Sequence, residues 1–240
     1  QCLFVTGNGA HYTLRDCYFD NAGEHVVYLS GAVGFVEDIQ FINCKFFNWG
    51  KQVRGYANIG SPFTSFEGCY FEQDEDGSGN TAGSYCVVVG ELRNETLFEN
   101  CIFKNPDKIY IKGNNTRFDK CEFINTKLGV ASTFGGQGNN TVIRDCSFYN
   151  WTYRVIALQA TQDVKIDGCY FSGGVSSTNI VFGTRTTVTN CVFGTDTTHG
   201  TCGISGGVNG TGVLAFNSIC NSTLTFTIPE NVTEVYNLYY

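Results

Sequence analysis

One short phrase recurs eight times along the chain and limits what it can fold into: an apolar residue, two mostly polar ones, Cys, any residue, then Phe. It stands at Leu14–Cys17–Phe19, Phe41–Cys44–Phe46, Phe66–Cys69–Phe71, Phe98–Cys101–Phe103, Phe118–Cys121–Phe123, Ile143–Cys146–Phe148, Ile166–Cys169–Phe171 and Val188–Cys191–Phe193. Successive Cys are 27, 25, 32, 20, 25, 23 and 22 residues apart. Self-similarity at that period marks a stack of like units, each unable to bury its apolar face alone.

Strict alternation along one strand puts Cys and Phe on one face and the leading apolar residue on the other. All three point inward only if a bend falls between them. The residue before Cys suits that bend or an outward position: Asp16, Asn43, Gly68, Asn100, Lys120, Asp145, Gly168 and Asn190. Four residues after Cys, Asn recurs at Asn21, Asn48, Asn105, Asn125 and Asn150. Asn tolerates the left-handed backbone region, and in stacked coils it forms ladders with its counterparts above and below. A second β-rich run fills each period, at His25–Leu29, Gln52–Tyr56, Tyr85–Val89, Ile109–Lys112, Arg154–Leu158 and Asn179–Phe182. No stretch shows helical periodicity with caps. Two or three short strands per coil predict an all-β parallel β-helix of about nine coils, roughly 40–45 Å long at ~4.8 Å per coil. A β-sandwich is the alternative, but it does not account for one phrase returning in register. The solenoid is expected over 1–221, with 222–240 a C-terminal β-strand segment that caps it or engages another subunit.

These coils resemble those of right-handed parallel β-helix proteins, the pectin-lyase-like superfamily. The resemblance covers about residues 10–220. It implies inward ladders of aliphatic, aromatic and Cys residues. Polysaccharide lyases and hydrolases, tailspikes, adhesins and structural surface proteins share that fold, so the resemblance does not choose an activity.

The charge balance argues against nucleic acid, since a net charge of −7 leaves too few clustered cations for phosphate contacts. No apolar run is long enough to span a bilayer as a helix. Asn-x-Ser/Thr sequons stand at Asn94, Asn114, Asn139, Asn150, Asn209, Asn221 and Asn231. With 12 Cys, they point to a secreted, extracellular, N-glycosylated protein. The strand-like opening Leu3, Phe4, Val5 reads as a processed start.

Eight Cys fall in register and are expected to stack as buried thiols. Cys2, Cys86, Cys202 and Cys220 do not. Cys202–Cys220 is the first candidate disulfide and Cys2–Cys17 the second. No CxxC pair occurs and His11, His25 and His199 are scattered, so no metal or other cofactor is expected. Asp74, Asp76, Ser78 and Asn80 alternate as oxygen ligands do, yet a calcium-type Glu is absent and a solvated loop suffices. The Asp and Arg signatures of the superfamily's enzymes are missing. Asp16, Asp119, Asp145 and Asp167 read as solvent-facing decoration, and no catalytic residue is assigned. Trp49 and Trp151, each five after Cys, suit packing on a neighbouring coil better than stacking on a sugar.

A solenoid with open ends is prone to polymerise. Leu3, Phe4 and Val5 at one end and Leu238, Tyr239 and Tyr240 at the other are the expected intersubunit residues. The function expected is a structural subunit of an extracellular filament or coat built from copies of itself. The alternatives are a polysaccharide lyase or hydrolase, drawing on Asp74–Asp76 with Arg54 or Arg93, and a carbohydrate-binding adhesin using exposed Tyr and Trp.

Overall fold

The computed structural model describes residues 3–5, 11–20, 25–30, 38–47, 52–58, 63–73, 85–89, 95–106, 108–111, 113–131, 138–174, 180–193, 204–206, 218–220 and 238–239. Among these there are only strands and corners. The strands form three parallel sheets of nine, eight and ten strands. Within each sheet, pairing runs from one coil to the next, and no helix occurs among the described corners between sheets. This is a parallel β-helix. We call the sheets A, B and C in the order the chain visits them, starting with Leu3–Val5, His11–Arg15 and Tyr18–Phe19.

The recurring phrase spans the corner from sheet B to sheet C. Its leading residue ends on sheet B, as Phe98 does in Thr96–Glu99, and its Phe lies on sheet C, as Phe103 does in Ile102–Lys104. Between them the residue before Cys is left-handed, with φ between 52° and 64° at Asp16, Asn43, Gly68, Asn100, Lys120, Asp145, Gly168 and Asn190. One left-handed residue turns the chain sharply, and Asn, Asp and Gly adopt it at least cost. That bend lets all three phrase residues face inward.

Two aromatic columns fill much of the interior. Phe19, Phe46, Phe71, Phe103, Phe123, Phe148 and Phe171 stack with centroids 4.4–5.1 Å apart. Phe41, Phe66, Phe98 and Phe118 make the second column at 4.8–4.9 Å, continued by Ile143, Ile166 and Val188. The columns meet edge to face, as at Phe98–Phe103, 5.6 Å apart and 67° between planes. Stacking along the axis is offset by the coil rise, and the edge-to-face contact sets negative ring faces against positive edges. Ile109, Val130 and Ile156 close the core from sheet A, paired in register. Phe193 lies on a described strand, but its side chain is outside the described set.

Leu238–Tyr239 pairs parallel with Ser218–Cys220 at the edge of sheet C. Leu3–Val5 is the opposite edge of the stack, in sheet A. Of the expected C-terminal segment 222–240, only residues 238–239 are described, and Tyr240 is not.

Candidate functional site

The eight in-register Cys are free thiols; seven are buried and Cys17 is partly exposed. Each of the seven donates its S–H toward the carbonyl of the leading phrase residue one coil below. Cys101 reaches Phe66 O at 3.3 Å, and Cys121 reaches Phe98 O at 3.4 Å. Burial pushes the thiols of Cys44, Cys101 and Cys146 up from their ordinary value. For Cys121, Cys169 and Cys191 the thiol one coil below is the first cause of the rise; burial adds to it, and for Cys121 and Cys169 the thiol one coil above works against it. Protonated donors held in a dry column are poor nucleophiles and poor metal ligands. Cys17 donates to Arg15 O instead of bridging to Cys2, which corrects that pairing. Cys2 and Cys202 lie outside the described residues, and of Cys220 only the backbone is described. Because eight of the 12 Cys are core residues, cysteine number says little about compartment here.

The corner from sheet C to sheet A carries the Asn ladder. Asn105, Asn125 and Asn150 are all left-handed. Asn125 Nδ2 donates to Asn105 Oδ1 at 3.0 Å, and Asn150 Nδ2 to Asn125 Oδ1 at 3.3 Å. One residue further, Trp151 is buried and packs on a neighbouring coil, the role the sequence favoured over a sugar platform: its indole covers Gly174 of the next coil and meets Phe171 edge-on. Trp49, Asn21 and Asn48 lie outside the described residues.

The corner from sheet A to sheet B holds a ladder that sequence reading missed. Asn115, Asn140, Asp163 and Arg185 are left-handed there. Asn140 Nδ2 donates to Asn115 Oδ1 at 2.9 Å, and Arg185 grips both carboxylate oxygens of Asp163 at 2.7 and 2.6 Å. Just after it, five residues before five of the eight in-register Cys, comes an inward Thr column, Thr64, Thr96, Thr116, Thr141 and Thr186, with Ile39 and Val164 at the same position in other coils. The same Cys-based count exposes it in the sequence, but Thr does not register as a core residue.

Sequons at Asn114 and Asn139 sit on this corner one coil apart. Asn114 Oδ1 accepts from Asn139 N, and Asn139 Oδ1 accepts from Gln162 N. Asn150 instead uses its Nδ2 in the other ladder. Asn94, Asn209, Asn221 and Asn231 lie outside the described residues, as do Asp74, Asp76, Ser78, Asn80 and Arg93; of Arg54 only the backbone is described.

On the outer face of sheet B, Glu67, Glu99 and Asp119 stand in register on three adjacent strands. Asp119 is not solvent-facing decoration: it is 4% exposed, between Arg117 Nε at 2.5 Å and Arg144 Nε at 3.0 Å. Nor are the four Asp equivalent. Asp16 and Asp145 occupy the left-handed corner, whereas Asp167, like Asp119, is the last residue of its strand and accepts from Thr189 Oγ1 and Asn190 Nδ2. Beside this row a groove of about 520 Å³ is lined by Asp38, Gln40, Thr64, Glu95, Leu97 and Asn140, among others.

On sheet C, Tyr18 stacks on Phe47 at 5.0 Å and Phe47 leans on Tyr70 at 5.6 Å, while Tyr18 itself stays largely exposed. Tyr70 donates to Glu72, which also pairs with Lys104 at 2.7 Å. No group of three or more His, Cys, Asp or Glu among the described residues is arranged to hold a metal. No described helix is long and apolar enough to cross a membrane.

Among solved structures, two trypsin-treated variants of QnrB1, a plasmid-mediated fluoroquinolone resistance protein, are similar at 15% and 14% identity. Each covers 76% of this chain, and 83% and 84% of its own, with TM-scores of 0.29 and 0.26. No curated protein matches. The family model described as "right handed beta helix region" matches residues 1–151 and again 85–227. Stacked parallel strands, inward Cys and Phe columns and this match together place the chain in one family: it belongs to the right-handed β-helix proteins.

Proposed function

We propose that this chain is a non-catalytic structural β-helix, secreted and N-glycosylated, whose copies associate end to end into an extracellular filament or coat. The observation that carries the reading is the self-complementarity of its coils. Each buried Cys donates its S–H to the coil below, while its carbonyl accepts an N–H from the coil above, as Cys69 O does from Ile102. Any coil therefore presents upward what it receives from beneath, and a coil of a second copy meets the same pattern. Leu3–Val5 and Leu238–Tyr239 lie on edge strands of the stack, where such pairing takes place. Some charged groups on the described faces pair between coils, such as Asp163–Arg185 and Glu72–Lys104. Asn114 and Asn139 join their ladder through Oδ1, a role compatible with a glycan on Nδ2.

Sedimentation over a wide concentration range, with negative-stain microscopy, tests the assembly. Filaments or a growing oligomer series are expected, weakened by Val5→Pro at the edge strand. A protein that stays monomeric throughout overturns it. Glycopeptide mass spectrometry of material from a eukaryotic secretory host tests the modification.

A second reading rests on the Glu67–Glu99 pair. Adjacent strands set their Cα atoms about 4.8 Å apart, so the two side chains leave neighbouring rungs of one face and their carboxyl groups can reach the roughly 5–5.5 Å separation of a retaining glycosidase pair. Hydrolysis of a glycan, abolished by Glu99→Gln, favours that reading over the first.

A further inference from the structure

We infer that the groove on the outer face of sheet B is a binding site for an amine-bearing oligosaccharide. It crosses five strands, from Asp38 to Val142, and so runs roughly 19 Å along the axis at about 4.8 Å per coil. A linear ligand lying across the strands fits that shape better than a compact one.

The lining sets the chemistry. Amides of Gln40, Asn115 and Asn140 and the hydroxyl of Ser65 supply donors and acceptors for a polyhydroxylated chain. Leu97 and Val142 stand on either side of Arg117 in register, and each gives an apolar spot against which the CH face of a sugar ring can lie. Thr64 also lines the groove. It is 6% exposed, and its Oγ1 has no hydrogen-bond partner among the described residues. That hydroxyl belongs to the inward Thr column and is closed off from the groove, so Thr64 bounds the site as wall and offers a ligand no bond.

Charge selects among sugars. Asp38 and Glu95 are the carboxylates of the lining, and Arg117 is its one cation. Arg117 is committed to Asp119 at 2.5 Å. Glu67 and Glu99 stand one rung away on the same face. The groove therefore carries a negative field that repels uronic acids and attracts ammonium groups. This separates the site from one built for acidic polysaccharide, and it requires neither polymerisation nor turnover.

Calorimetric titration of the intact chain with three hexasaccharides tests the site: fully deacetylated glucosamine, its N-acetylated counterpart and galacturonate, at a pH where the amines are protonated. The glucosamine hexamer is expected to bind. Its affinity should fall about tenfold or more in Asp38→Asn/Glu95→Gln, while Thr64→Val, inside the wall, and the distant Glu122→Gln leave it unchanged. Unfolding midpoints of the variants, matched to wild type, show that the fold is intact. Equal binding of galacturonate, binding indifferent to the Asp38/Glu95 pair, a Glu122→Gln loss as large as theirs, or no binding of the glucosamine hexamer each overturns the inference.

Discussion

The indole of Trp151 occupies the space that a β-carbon at Gly174 would take. Residue 151 is the fifth after Cys146 and residue 174 the fifth after Cys169, so one coil's bulk fits the next coil's gap. Gly174→Ala is expected to destabilise by about 1–3 kcal/mol, because the ring is buried and edge-packed on Phe171 and has little room to yield. Thermal unfolding measures the loss, and tryptophan emission should shift to the red. An unchanged midpoint would mean that the indole does not sit there.

Asn125 combines a left-handed φ of 54° with a ladder position that donates to Asn105 and accepts from Asn150. Asn125→Ala loses both, at a cost of about 1–3 kcal/mol. Asn125→Gly keeps the backbone freedom and loses only the bonds of an exposed amide, so it should cost about half as much or less. Chemical unfolding of the two variants separates backbone strain from the ladder. Equal losses would assign the whole effect to the bonds.

The inward Cys and Phe were legible because both are apolar and recur at a fixed offset across the corner. The bend was legible because only Asn, Asp, Gly and one Lys precede Cys. The Thr column five before Cys was not, since a buried Thr such as Thr141, whose Oγ1 donates to Gly138 O at 2.7 Å, looks polar in sequence. Asp119 misled for the opposite reason. A carboxylate on an outward rung reads as solvated until strand register brings Arg144 beside it. The groove is not legible in sequence because its lining comes from five coils, each contributing only two or three residues.

Phe103 sits in the middle of the longer aromatic column, fully buried between Phe71 and Phe123 at 4.8 and 5.0 Å. Phe103→Ala removes both stacks and leaves a cavity that the two neighbours are held too firmly to fill, for a loss of about 3–5 kcal/mol. Phe103→Leu retains most of the volume and should lose less than half of that. Urea titration compares them. A loss under about 1 kcal/mol for the Ala variant would show that the column is not packed as described.

Asp119 draws Arg117 and Arg144 across adjacent strands. The two guanidinium side chains are 45% and 44% exposed, so water takes up part of what the carboxylate gives them, and Asp119→Ala should cost only about 1 kcal/mol. Part of that loss is like-charge repulsion between the two Arg, so Asp119→Ala/Arg144→Gln should recover some of it. A double-mutant cycle reads the coupling, and additivity of the two changes would rule out the clamp.

The thiol column gives the fold an alkaline limit. Cys101, Cys121, Cys146 and Cys169 all have pKa values raised above the ordinary 9.0. Folded thiols therefore keep protons that the unfolded chain releases above about pH 9. Their contribution is complete below that point and drains away as pH rises past it, by about 1.4 kcal/mol per pH unit for each thiol. Denaturant midpoints should be flat in this respect on the acid side of pH 9 and fall steeply beyond it, and Cys121→Ala should reduce the slope by one thiol's share. The same protonation predicts that a native sample near neutral pH exposes few of these sulfurs to a thiol reagent, with Cys17, partly exposed at the end of the column, reacting before the seven behind it. Rapid labelling of Cys121 or Cys146 in the folded protein would mean that the column opens to water and that the stacked coils are not the dry core described.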